Sequence, residues 1–166
     1  PWFGRPRFKR DLLFFRPRQN CSEPCFNFGM IIDGLSNTIA MSERSTGVGS
    51  TTIKGGLWLN IGGIQGKTQA PINCMTKRAG SVYVTGGSYA NWAGKRWCDG
   101  ATAFTHFNTI LPPNGPTCVD GAWDGHPMFA PPTSYHPGGA IGLMCDGSVN
   151  FYDESIDTGN LAQTIN

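Results

Sequence analysis

Apolar and polar residues alternate in three short stretches of the chain, each bounded by glycine or turn residues. The stretches are residues 38–43, 57–61 and 81–85, and the second lies between two glycine pairs. Alternation with a period of two is typical of strands with one buried face. The pattern therefore predicts short β-strands in the first half of the chain.

The most regular pattern lies near the C-terminus, where two apolar stretches, 140–145 and 148–152, flank an Asp-Gly pair. Asp-Gly is typical of the two-residue type I′ turn, so the pattern predicts a β-hairpin. That register places Gly142 opposite Phe151, and an aromatic ring over a glycine stabilises a sheet. After the hairpin, residues 159–165 have a short helical pattern.

Periodicity disappears between residues 86 and 137, where Gly, Pro, Asn and Asp dominate. This composition predicts a long ordered loop region, which a Cys98–Cys118 disulfide would hold in place. The whole chain of 166 residues has 23 glycines and 12 prolines and only 14% charged residues. These values exclude a helical bundle and favour one domain that is mainly β or α+β, with an antiparallel sheet and long ordered loops.

Residues 1–29 form an N-terminal arm that differs in composition from residues 30–166, the β-rich head domain. Two Arg-Pro pairs in the arm prevent a continuous helix and favour extended backbone. The arm is also too rich in aromatic residues for a solvated tail, so we expect it to lie on an apolar surface. Its aromatic and basic residues include Trp2, Phe3, Arg5, Arg7, Phe8, Arg10, Phe14, Phe15, Arg16 and Arg18.

The modest net charge of +2 hides a division along the chain. Residues 1–96 contain all thirteen Lys and Arg residues and four acidic residues, whereas residues 97–166 contain seven acidic residues and no Lys or Arg. An acidic half of this size repels a phosphate backbone, which disfavours nucleic acid as the partner. A basic arm that binds the acidic half of a second copy would bring the two opposite charges together, so the sequence predicts self-association.

The six cysteines indicate an oxidising compartment and predict three disulfides, whose pairing the sequence leaves open. The alternative is a metal site, but the chain has only one close cysteine pair, so the second half of a zinc ribbon is missing. The disulfide candidates are Cys21, Cys25, Cys74, Cys98, Cys118 and Cys145.

The sequence predicts no catalytic residue. His106, His126 and His136 lack the short spacing that is typical of zinc sites, and no Gly-x-Ser-x-Gly motif occurs. A dyad of Cys145 and His136 would compete with disulfide formation for the thiol. The chain is therefore not expected to be an enzyme or to need a cofactor, apart from calcium.

Three features leave a binding role open. Asp120 and Asp124 lie four residues apart in an Asp-Gly-rich loop, where carboxylates could bind calcium. Asn20 begins an Asn-Cys-Ser sequence, which is a possible glycosylation site. The aromatic side chains of Trp92, Trp97 and Trp123 could contact a glycan.

Several segments occur in an order that resembles the planctomycete-type family of prepilin-like proteins, which carries a His-x9-Asp-Gly motif near its C-terminus. The segments are residues 32–43, 107–118, 134–139 and 146–151, and nine residues separate His136 from Asp146. The motif residues are Asp33, Gly34, Ser36, Asn37, Thr38, Pro112, Pro113, Asn114, His136, Pro137, Gly138, Gly139, Asp146 and Gly147.

The resemblance implies an exported, cell-surface protein related to type IV pilins and pseudopilins, with an antiparallel globular head. The long N-terminal helix of such proteins has no counterpart in this sequence, and the family has no established catalytic residues to carry over. We expect His136 to form a hydrogen bond near the hairpin turn and Gly147 to supply a positive φ angle.

Together, these features predict a structural subunit of an extracellular filament or surface appendage. It would self-assemble through the arm, without nucleic acid and without a membrane span in this chain. The alternative is a cell-surface module that binds calcium or a glycan.

Overall fold

Nine short strands and one five-residue α-helix form the regular structure in a computed structural model, which describes residues 27–164. Two 3-10 turns, Phe28–Met30 and Leu35–Asn37, precede the first strand. The elements are β1 (Ile39–Ser42), β2 (Leu57–Leu59), α1 (Pro71–Met75), β3 (Arg78–Ala79), β4 (Val82–Tyr83), β5 (Ser88–Ala90), β6 (Cys118–Val119), β7 (Met128–Phe129), β8 (Gly139–Met144) and β9 (Val149–Asp153).

The strands form three sheets in the orders β1-β8-β9, β5-β2-β6-β7 and β3-β4. Every pairing of named strands is antiparallel except that of β2 with β6, which is parallel at Trp58 and Cys118. A parallel pair needs a long connection, which here contains α1, β3, β4 and β5. The predicted β-rich, mainly antiparallel fold class is confirmed.

The core lies on the two faces of the four-stranded sheet. One cluster contains Leu57 and Val119, and the other contains Leu111, Cys118 and Phe129, all fully buried. Three strands, β5, β6 and β7, occur inside the stretch predicted to be a long loop. The predicted stretches 57–61 and 81–85 contain β2 and β4, whereas β5, β6 and β7 lie among glycine, proline and asparagine residues that hide such short strands from an alternation pattern.

The described cysteines form one disulfide, between Cys74 on α1 and Cys118 on β6, both fully buried. Within residues 27–164, Cys98 and Cys145 have no disulfide partner, so the described part shows one of the three expected disulfides. The expected Cys98–Cys118 bridge is wrong because Cys98 lies on an exposed loop while Cys118 lies in the core. Cys21 lies outside the described residues, as does Cys25.

The β8–β9 hairpin forms as predicted, but its turn has three residues rather than two. Met144 accepts a hydrogen bond from the Gly147 N–H at 3.0 Å, and the Met144 N–H donates to the Ser148 carbonyl at 2.8 Å. Gly147 has the predicted positive φ, +89°, but Asp146 does not share it, as a type I′ turn would require. The extra loop residue shifts the register by one, so Gly142 lies opposite Asn150.

Two glycines of β8 allow aromatic side chains to lie close to the sheet. A Cβ at Gly142 would lie 2.8 Å from the Tyr152 ring, and one at Gly139 would lie 2.7 Å from the Phe151 ring and 2.1 Å from the Tyr152 carbonyl oxygen. The aromatic-over-glycine arrangement therefore exists, with different partners from those predicted.

The predicted helix at 159–165 is wrong for the part that the structure describes, which contains turns. The Asn160 side chain accepts a hydrogen bond from the Ala162 N–H at 3.0 Å. Such a local side-chain bond gives the backbone an alternative to the helix.

Candidate functional site

Two of the segments that carry the family resemblance, the second and the third, are joined by the buried side chain of Asn114, which is 1% exposed. Its Oδ1 accepts a hydrogen bond from the Ser134 N–H at 2.8 Å. Its Nδ2 donates to the Gly139 carbonyl at 3.2 Å and to Glu154 Oε1 at 2.7 Å. Asn114 has a φ of +58°, a left-handed conformation that asparagine tolerates better than most residues. One side chain thus joins the second motif segment to the start of β8 and to the residue that follows β9.

A second contact joins the first motif segment to the third. Glu43, directly after β1, has its Oε1 3.3 Å from His136 Nε2, and its Oε2 accepts a hydrogen bond from the Ile141 N–H at 2.7 Å. His136 therefore lies before the start of β8, at the end away from the Gly147 turn. The expectation that it bonds near the turn is wrong, because the six-residue strand β8 separates the two.

The remaining motif residues shape loops. In the first segment, the Asn37 side chain donates to the Asp33 carbonyl at 2.9 Å, and the Thr38 hydroxyl donates to the Gly34 carbonyl at 3.1 Å. The Thr38 carbonyl then accepts a hydrogen bond from the Cys145 N–H at 2.8 Å. This segment is thereby held against the β8–β9 turn.

Other motif residues form turns or backbone contacts within the fold. Pro112 accepts a turn hydrogen bond from the Gly115 N–H at 3.0 Å, and Pro113 is fully buried. Gly138 has a φ of +79°, and its carbonyl accepts a hydrogen bond from the Glu154 N–H at 2.8 Å. These contacts indicate that the motif stabilises the fold.

Glu43 and His136 line a cleft of about 450 Å³, together with Thr133, Ser134 and Tyr135. Both members of the pair are partly exposed there. The Ser134 hydroxyl accepts a hydrogen bond from the backbone N–H of His136 at 3.1 Å, so this contact involves the backbone of His136 and not its imidazole. The arrangement places a carboxylate against the imidazole of His136.

Arg44 also lines this cleft, and its Nη1 donates to Thr117 Oγ1 at 3.2 Å and to the Pro131 carbonyl at 3.0 Å. Its Nε and Nη2 are closed to solvent and have no hydrogen-bond partner within residues 27–164. Burial lowers the pKa of Arg44 to about 10. Burial, and secondarily the Arg44 charge, lowers the pKa of His106.

The sheet β1-β8-β9 has an apolar outer face. Met41, Val149 and Phe151 are 62%, 63% and 52% exposed, and the half-buried Ile141 and Leu143 lie between them. The register pairs Met41 with Leu143, Leu143 with Val149, and Ile141 with Phe151, so all five side chains share one face. The predicted hairpin did not identify this face, although the alternation at residues 149 and 151 indicates it.

Acidic residues flank the outer face. Asp146 lies in the hairpin turn, and Asp153 and Glu154 lie at the end of β9. Hydrogen bonds from Ser148 hold the pKa of Asp146 below its ordinary value, and those from Ser155 do the same for Asp153. Both carboxylates therefore keep their negative charge at mildly acidic pH.

The calcium candidates are placed in a loop beside β6. The two carboxylate oxygens of Asp120 accept hydrogen bonds from the Ile64 and Gln65 N–H groups, at 2.8 and 3.2 Å. No group of three or more metal-ligating side chains occurs in residues 27–164. Calcium binding at Asp120 and Asp124 stays a prediction.

The tryptophan candidates divide into two kinds. Trp97 and Trp123 are highly exposed, whereas Trp92 packs against the core. Glycan binding by these residues stays a prediction. The sequon at Asn20 and the arm residues up to Arg18 lie outside the described residues, and their roles stay predictions as well.

Most of the acidic residues in the C-terminal half have no basic partner in the described part. Arg96 and Asp99, with Nη1 and Oδ2 3.3 Å apart, form the one ion pair between Lys or Arg and a carboxylate found within residues 27–164. The other six acidic residues beyond Trp97 pair with no Lys or Arg there.

Comparison with known proteins gives a family but no characterised relative. Residues 1–159 match the model of a family described as "Protein of unknown function (DUF1559)". No curated protein and no solved structure matches the chain. None of the helices in residues 27–164 has the length and hydrophobicity that a membrane span requires. The Cys74–Cys118 disulfide fits a location outside the cytoplasm. The chain belongs to the DUF1559 family of proteins of unknown function.

Proposed function

We propose that this protein is a non-catalytic structural subunit of an extracellular filament or surface appendage, and that it self-assembles through its N-terminal arm. The observation that carries the proposal is the unpaired acidic half of the head domain. Six of its seven acidic residues have no Lys or Arg partner within residues 27–164. The arm contains six basic residues in its first eighteen positions, which is the complementary charge.

The family resemblance supports the same proposal. The segments that resemble prepilin-like proteins are joined in the head domain through Asn114 and through the Glu43–His136 contact. A relationship to pilins and pseudopilins would make a cell-surface assembly the natural setting for this chain. The disulfide is compatible with that setting, since disulfides persist in oxidising compartments.

An arm that binds the head of the next copy makes a head-to-tail contact. Such contacts generate open filaments when the rotation between copies does not close a ring. The exposed part of the charge attraction should weaken as salt rises, whereas the aromatic contribution should persist. Assembly is therefore expected to decline with ionic strength without disappearing.

The proposal is tested by sedimentation velocity and negative-stain microscopy of the full chain and of residues 19–166. The full chain should form assemblies, and the truncated chain should remain a folded monomer. As a charge control, Arg5→Gln with Arg7→Gln should weaken assembly more than Lys67→Gln with Lys95→Gln, since the two lysines are exposed on the head. Assembly of the truncated chain to the same size would refute the role of the arm.

A second candidate is a glycan-binding module of the cell surface, which the high exposure of Trp97 and Trp123 favours. Large exposed aromatic side chains often mark binding surfaces. Titration of the folded chain with soluble oligosaccharides, followed by tryptophan fluorescence, tests this role. Saturable quenching that Trp97→Ala abolishes would support it, and an unchanged spectrum with every sugar would exclude those ligands.

A further inference from the structure

We propose that the outer face of the β1-β8-β9 sheet is the acceptor surface, and that its occupant is the segment 1–26 of a second copy of this chain. This inference rests on the proposed function and names the site at which the arm binds. The outer face consists of Met41, Ile141, Leu143, Val149 and Phe151.

The outer face consists of apolar side chains, as do sheet faces that are covered by another layer. Its three outer members are more than half exposed, although apolar side chains that share one face of a sheet normally pack against another layer. The opposite face of the same sheet is covered, since Ala140 and Met144 are buried. Strand β9 pairs with β8 alone within residues 27–164, so its other edge offers unpaired backbone groups to an extended segment.

Charge indicates which apolar segment fits. The acidic side chains of Asp146, in the hairpin turn, and of Asp153, at the end of β9, are exposed. Residues 1–26 combine six basic residues with several phenylalanines, whereas the rest of the sequence has no comparable basic and aromatic segment. Apolar rings on the face and guanidinium groups beside the carboxylates would satisfy both features of the surface at once.

The arm is long compared with the strands on which it is proposed to bind. Residues 1–26 span at most about 90 Å when fully extended. The described chain that follows them is itself exposed and apolar at Phe28, Met30 and Ile32. Docking on a neighbour rather than on its own head makes the contact continue from copy to copy, as the proposed assembly needs.

The test replaces one exposed valine on the face and one elsewhere with the same cation. Val149→Lys places a positive charge in the acceptor surface, where it repels the arm. Val48→Lys is the matched control, since Val48 is 97% exposed on a loop outside the sheets. We expect Val149→Lys to weaken self-association at least 10-fold in sedimentation velocity and Val48→Lys to change it less than 3-fold. Val149→Ile should retain the wild-type association.

Thermal unfolding of each variant shows whether the head remains folded, and lysine is tolerated at exposed sheet edges. If Val149→Lys assembles as tightly as Val48→Lys while residues 19–166 stay monomeric, the acceptor site is wrong and the proposed function stands. If the full wild-type chain is monomeric at every concentration, the proposed function fails. A monomeric wild type whose arm becomes protease-sensitive only in Val149→Lys would show that the arm covers its own face, which overturns the second-copy occupant.

Discussion

Replacing Asn114 should destabilise the head domain more than replacing any exposed asparagine. The side chain makes three hydrogen bonds inside the fold, and one of them goes to the carboxylate of Glu154. Asn114→Gly removes all three bonds but keeps the freedom to adopt a φ of +58°. The Ser134 N–H and the Gly139 carbonyl would then be buried without these partners.

The expected loss follows from the cost of each bond. A neutral hydrogen bond contributes about 1 kcal/mol and a bond to a charged group about 2 kcal/mol, so Asn114→Gly should cost about 4 kcal/mol. Asn114→Ala should cost about 1 kcal/mol more, because alanine pays for the left-handed conformation. Asn73→Ala is the control, since Asn73 is exposed on α1 and should change stability by less than about 0.5 kcal/mol.

The assay is urea unfolding followed by tryptophan fluorescence, with the free energy of unfolding extrapolated to water. Should Asn114→Gly fail to fold, Asn114→Asp provides a milder test. It keeps the acceptor for Ser134 but sets a carboxylate against Glu154, which raises the folded-state pKa of that pair. Its deficit should therefore be full at neutral pH and shrink as the pH falls through the raised pKa. A loss below about 1 kcal/mol for Asn114→Gly would refute the reasoning.

Three further measurements address other parts of the head. Reducing the disulfide between α1 and β6, whose cysteines lie 44 residues apart, should lower the free energy of unfolding by about 4 kcal/mol, and an unchanged urea midpoint would contradict this. Arg44→Met should raise the pKa of His106 in an NMR titration, because it removes a nearby positive charge. A lower pKa would show that the Arg44 charge does not act on His106 in this way. Iodoacetamide should modify the exposed Cys98 first, and Cys145 only at higher pH, since burial and a neighbouring aspartate raise the pKa of Cys145. Equal rates at pH 7 would disprove that difference.

Local patterns were enough to predict the strands in which apolar and polar residues alternate, including the short strands β2 and β4. Alternation around residues 39–42 and in the C-terminal hairpin located β1, β8 and β9. The hairpin register does not follow from the sequence in the same way, because an Asp-Gly pair suits both a two-residue turn and a three-residue turn with glycine last. One additional loop residue moved every cross-strand partner by one.

Features that depend on contacts between distant parts of the chain could not be predicted from local sequence patterns. Strands β6 and β7 have two residues each and form because they are buried, with β6 paired to β2 and β7 paired to β6. The Cys74 pairing depends on the position of α1 relative to β6, which no spacing encodes. The motif residues were named from the sequence, but the contact of Glu43 with His136 follows from the pairing of β1 with β8.

The most direct test of the assembly account mixes two chains that each lack one half of the contact. Residues 19–166 have the acceptor face without the basic arm, and the full chain with Val149→Lys has the arm without a working face. Sedimentation velocity of an equimolar mixture should show a 1:1 heterodimer that grows no further, while each chain alone is monomeric and the wild type forms larger assemblies. Two monomers that do not interact in the mixture, beside a wild type that assembles, would contradict the binding of the arm to this face of a second copy.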